Sequence, residues 1–146
     1  MTSILADIIW PALLLESRML SVWVISSGLF VEYFFVWRIT ALGPIKSILA
    51  DLVMNAASTL LGIVLIPIVG LVVAIVPGEF VGTFSPITWA ATFLMAIFLN
   101  TCIESLVVWK IFRQVFGKKQ FWWLAAANAL SVGIAFASFL IYPIKE

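Results

Sequence analysis

A chain of 146 residues that is 64% hydrophobic and only 10% charged does not have the composition of a soluble domain, where about a quarter of residues carry charge. It contains no histidine, which excludes imidazole ligation of haem, zinc or copper within the chain, and its one cysteine, Cys102, offers neither a disulfide framework nor a CxxC pair. A formal net charge of +1 leaves no footprint for nucleic acid, so the basic residues carry information only through where they fall.

Apolar runs close to 20 residues long recur along the chain. A helix of that length crosses a hydrocarbon core of about 30 Å. The expected fold is an all-α integral membrane protein with four transmembrane helices in one domain over residues 1–146. The opening stretch "MTSILADIIWPALLLESR" lacks a basic leader and contains Asp7 and Pro11, unlike a cleavable signal peptide. It reads as an interfacial or re-entrant segment, or as the outer end of a long tilted helix.

Span one is expected over Leu20 to Trp37 and ends in "EYFFVWR". The turn "RITALGPIK" leads to span two, Ile48 to Val76, which contains Pro67 and Gly70 in "IPIVG". Proline removes a donor and clashes with the turn before it, so a kink is expected there. The other reading, a broken helix lending carbonyls to an ion, finds no acid near Pro67. After "PGEFVGTFSP", span three covers Ile87 to Phe112 and contains "ESLVVWK"; "RQVFGKK" then leads to span four, Phe121 to Tyr142. Joints this short predict that successive spans are antiparallel neighbours.

Charge sets the expected orientation. The joints after spans one and three hold Arg38, Lys46, Lys110, Arg113, Lys118 and Lys119, against Arg18 and Lys145 on the other side. By the positive-inside rule both basic loops are cytoplasmic and both termini outside, in the plasma membrane, or the inner membrane of a bacterium. Trp10, Trp89, Trp109, Trp122, Trp123 and Tyr142 stand near the ends of runs and read as an aromatic belt.

The sequence also repeats itself. "EYFFVWR" at Glu32 aligns with "ESLVVWK" at Glu104, 72 residues on, and "NAAS" at Asn55 aligns with "NALS" at Asn128, 73 residues on. The expectation is two tandem hairpins, residues 1–76 with the N-terminal segment and residues 77–146. Each copy has an even number of spans, so the copies run the same way through the membrane about an axis along its normal. The copies differ where Gly28 faces Asn100 and Asp51 faces Leu124.

Helical rise of about 1.5 Å per residue places Glu32 and Glu104 roughly 9 Å from their basic anchors, and Asn55 and Asn128 roughly 13–14 Å from a lysine. Asp51 and Asn100 fall at roughly 7–8 Å and 15 Å by the same measure. All six belong to one leaflet, the cytoplasmic one, and a carboxylate near the membrane centre costs about 2.5–3.5 kcal/mol. They are therefore expected to face one another across the bundle interior.

Such an interior suits a transporter, or a transporter-like subunit, for a cation or a small amine-bearing solute, with Glu32, Asp51, Asn55, Asn100, Glu104 and Asn128 as its binding groups. Carboxylates and amide oxygens are also hard ligands for magnesium, calcium or manganese, and a pair of glutamates could accept protons. Two alternatives stand beside transport. The polar groups could fasten helices in a structural or assembly subunit, each glutamate pairing with a basic residue and an asparagine. They could also hold a metal in an enzyme acting on a lipid head group, though no serine or cysteine here has a histidine to activate it. Phosphate-binding glycine loops are missing, since "GPIK" and "FGKK" lack the spacing. Four helices leave little room for a closed solute path, so a homo-oligomer or a larger membrane complex is expected, with the lipid bilayer as the common partner.

Overall fold

The computed structural model describes residues 21–75 and 86–141, with side chains described over 21–65, 90–138 and 141. Asp7, Trp10, Pro11, Glu16, Arg18, Glu79, Tyr142, Lys145 and Glu146 lie outside the described residues, as do the expected N-terminal segment and the side chains of Pro67 and Trp89. Among the described residues four helices follow one another: α1 Val22–Ile39, α2 Pro44–Ile75, α3 Pro86–Lys110 and α4 Lys118–Ile141. Each is long and apolar enough to cross a membrane. The chain is thus an all-α protein with four membrane-length helices.

The ends of the helices follow local chemistry. Thr40 closes α1, its backbone N–H and its hydroxyl both donating to the Val36 carbonyl, the latter at 2.7 Å. Gly43 then takes φ +75°, a left-handed conformation that glycine adopts without a Cβ clash. Pro44 follows as the first residue of α2, where its missing N–H costs nothing. The helix therefore starts four residues before the expected Ile48, because a lysine one turn in does not interrupt a helix. It is helical through Pro67 and Gly70, without the break that an ion-binding discontinuous helix would need. At the other joint Arg113 takes φ 51° after α3 has ended at Lys110, two residues short of the expected Phe112. Gln120 caps α4, its side-chain oxygen accepting the Gly117 N–H at 3.1 Å, the reciprocal half of a capping box. Gln114 joins the two loops by accepting the Ala41 N–H at 3.3 Å. All six basic residues of the two joints thus lie at one end of the bundle.

The helices form a closed ring in which α1 touches α2 and α4, and α3 touches α2 and α4, while the diagonal pairs do not meet. Each helix turns a narrow face inward. On α1 that face is Val24, Gly28, Glu32 and Val36, spaced four apart as one side of a helix requires. The outward faces carry Phe30 at 75% and Leu60 at 68% exposure. Apolar outside and polar within reverses the order of a soluble bundle and suits a hydrocarbon solvent.

Three layers stack along the axis. At the loop end Val36, Ala50, Met54, Val107, Val108 and Leu124 pack into one apolar cluster. At the far end Val24, Ala96, Val132 and Ala135 form another, bordered by the edge-to-face pair Phe93 and Phe136 at 5.2 Å. Between them lies a layer of buried Glu32, Asp51, Ser58, Asn100, Thr101, Glu104, Asn128 and Ser131.

Candidate functional site

The polar layer is built from matching parts. In the first hairpin the Asn55 amide donates to Glu32 Oε2 at 2.6 Å and to the Asp51 carbonyl one turn back at 3.1 Å. In the second, the Asn128 amide donates to Glu104 Oε2 at 2.5 Å and to the Leu124 carbonyl one turn back at 3.2 Å. Each asparagine is thus held by its own helix while it reaches across to the neighbouring one. These bonds tie α1 to α2 and α3 to α4.

The serines cross between hairpins. Ser131, on α4, stands within range of Glu32 on α1, and both line the same cavity. Gly28 makes this approach possible, because a Cβ at that position would lie 2.6 Å from Ser131 Oγ. Ser58, on α2, stands within range of Glu104 on α3, but its hydroxyl donates to the Asn55 carbonyl at 3.2 Å. Among the described residues Glu104 Oε1 and Asn128 Oδ1 are buried without hydrogen-bond partners. A turn of the Ser58 hydroxyl onto Glu104 would satisfy the first of them.

The two glutamates differ in surroundings. Glu104 is 0% exposed and closed in. Glu32 is 1% exposed to bulk but lines a cavity of about 430 Å³ together with Asn55, Ser58, Asn100 and Ser131. That volume falls in the range of small-molecule sites, roughly 300–1,000 Å³. Asp51 adds a third carboxyl, 3.3 Å from the Asn55 amide. Glu32, Asp51 and Glu104 are close enough for their charges to interact. Of the expected pairing of each glutamate with a basic residue and an asparagine, the asparagine half forms, while no ion pair of the three carboxyls with a lysine or arginine is seen among the described residues. Among the described residues no group of three Asp, Glu or Cys side chains is spaced to hold a metal ion.

Of the six residues singled out from the sequence, Glu32, Asp51 and Asn55 form one hydrogen-bonded group, and Glu104 and Asn128 another. Asn100 joins the first through the shared cavity. It is 8% exposed. Gly28, Ser58 and Ser131 were missing from that set. Their signal was present in the serines of "NAAS" and "NALS" and in the exchange of glycine for asparagine between the copies.

Comparison with family models, with curated proteins and with solved structures yields no match. The chain itself establishes an all-α, four-helix membrane protein whose helices are linked by Asn–Glu hydrogen bonds inside the bundle.

Proposed function

We propose that the protein is a transporter, or the solute-handling subunit of one, for a monovalent cation or a small amine-bearing solute. The observation that carries this reading is a cluster of three buried carboxyls with no basic partner among the described residues, one of them facing a cavity. Unpaired charge buried in apolar surroundings is costly, so each carboxyl needs a proton or a cationic guest. Glu32, Asp51, Asn55 and Asn100 form the receiving side. Glu104 and Asn128 fasten α3 to α4 and add negative potential behind it. The lack of a three-ligand constellation among the described residues favours an organic or monovalent cation over a chelated divalent metal.

In this reading the six basic residues of the joints mark the cytoplasmic end, and the polar layer lies in the leaflet on that side. The matched Asn-to-Glu bonds, each with its backbone bond one turn back, support descent from a duplicated hairpin. A second reading, a structural subunit of a larger complex, draws on those same bonds as interhelical ties.

Uptake of labelled methylammonium into proteoliposomes separates the two. Glu32→Gln is expected to lower uptake at least tenfold while the protein still inserts and assembles. Uptake that is absent in the parent chain, or unchanged in a well-assembled Glu32→Gln variant, overturns the transport reading and leaves the structural one.

A further inference from the structure

The cavity at Glu32 is a groove with a polar floor and an apolar mouth. The floor is Glu32, Asn100 and Ser131, and the mouth is formed by Ile25, Leu52 and Leu60, all exposed on the outer faces of α1 and α2. Those faces are the ones a membrane helix turns to lipid. The groove follows α1 from Glu32 to Ile25, roughly 10 Å at helical rise, so it is longer than a small ion needs. At its floor Asn100 is more than nine-tenths buried and lines the cavity beside Glu32.

We propose that this groove receives a single-chain primary alkylamine from within the bilayer, its ammonium on the floor and its chain along α1 and α2. A primary ammonium has three N–H donors. The floor offers three kinds of oxygen to meet them: the Glu32 carboxylate, Asn100 Oδ1 and a serine hydroxyl. None of the described residues lining the groove is aromatic, which disfavours a quaternary ammonium, whose recognition relies on aromatic faces. Negative charge at the floor and hydrocarbon at the mouth match the two ends of such a molecule. The route runs between α1 and α2 and leaves both apolar clusters in place. The inference rests on the cation reading of the Glu32 site and adds to it the shape of the cation and the side from which it arrives.

The test uses the full chain in uncharged lipid nanodiscs and follows thermal stabilisation by n-octylamine, methylamine and n-octyltrimethylammonium. The expected result is an apparent Kd for octylamine at least tenfold below those of both other compounds. Glu32→Gln should abolish its effect, and Leu60→Trp, which fills the mouth, should weaken it tenfold or more. Octylamine that binds no tighter than methylamine, or that ignores Leu60→Trp, overturns the inference, while methylamine binding lost in Glu32→Gln keeps the cation reading intact. If no amine stabilises in a Glu32-dependent way, both fall. A Leu60→Cys, Cys102→Ala chain that cross-links to a second copy through residue 60 and then excludes octylamine assigns the groove to a protein contact, and that too overturns it.

Discussion

The two halves of the polar layer use the same parts and reach opposite results. Around Glu104 the parts close up: Asn128 is fully buried, and Thr101, Val132 and Ala135 seal the flank. Around Glu32 the corresponding positions by the repeat are Leu29, Thr59 and Gly62, and all three line the cavity. The hydrogen bonds are nearly the same in length, so the bonding pattern does not decide whether a site is open. The residues one and two turns away decide it, through their bulk and their hold on the neighbouring helix. A duplicated element can thus keep one copy as a tie between helices and free the other to face a guest.

The sharpest way to break this comparison is to give the second half the acid of the first. Leu124→Asp puts a carboxyl where Asp51 stands in the other copy, but in a fully buried position of the loop-end cluster. The acid alone costs about 2.5–3.5 kcal/mol, and losing the leucine adds about 2 kcal/mol or more. Recovery of folded, monodisperse protein should collapse, and normal recovery would mean that the second half has room the structure does not give it. Next comes the pair of asparagines. Asn128→Ala leaves Glu104 without its bonded partner and should cost about 2–3 kcal/mol in equilibrium unfolding, whereas Asn55→Ala should cost about 1 kcal/mol because Glu32 lines a cavity that can admit another partner. Equal losses would erase the distinction between tie and site.

Smaller effects sharpen it. Gly28→Ala drives a Cβ into Ser131 Oγ, forcing the serine away from Glu32. A loss of about 1 kcal/mol is expected, together with weaker methylammonium uptake. Asn100→Ala should change stability by no more than about 0.5 kcal/mol, since the residue lines the cavity and belongs to neither apolar cluster, yet it should weaken amine binding severalfold. A large unfolding penalty there would make Asn100 a fastener.

Much of this arrangement was legible in the chain. Spacing of four along each helix put Asn100 with Glu104 and Asp51 with Asn55, and distances of roughly 9 Å and 13–14 Å from the basic anchors put glutamate and asparagine in the same leaflet, within a turn of each other. Those are consequences of helical rise and turn, which sequence fixes once a helix is granted. Asn55 meeting Glu32, and Asn128 meeting Glu104, follow from that near-common depth within each hairpin. What spacing could not give is the gap between helices. The opening at Glu32 depends on side-chain volumes summed across α1, α2, α3 and α4, and the reach of Ser131 to Glu32 depends on a missing Cβ on a helix far away in sequence. The start of α2 also departed from the apolar run, because Gly43 and Pro44 set it, and α3 ended at Lys110, ahead of the positive-φ Arg113.

The apolar clusters on either side of the polar layer have an electrical consequence. Val36, Met54, Val108 and Leu124 are fully buried between the layer and the loop end, and they provide no oxygen or nitrogen side chain along which charge could hop. They act as an insulating plug, across which part of the membrane voltage must fall. A full crossing of one charge changes its energy by about 2.3 kcal/mol per 100 mV, and a cation held at Glu32 would feel a fraction of that. Occupancy of the groove would therefore respond to voltage even when nothing crosses the membrane.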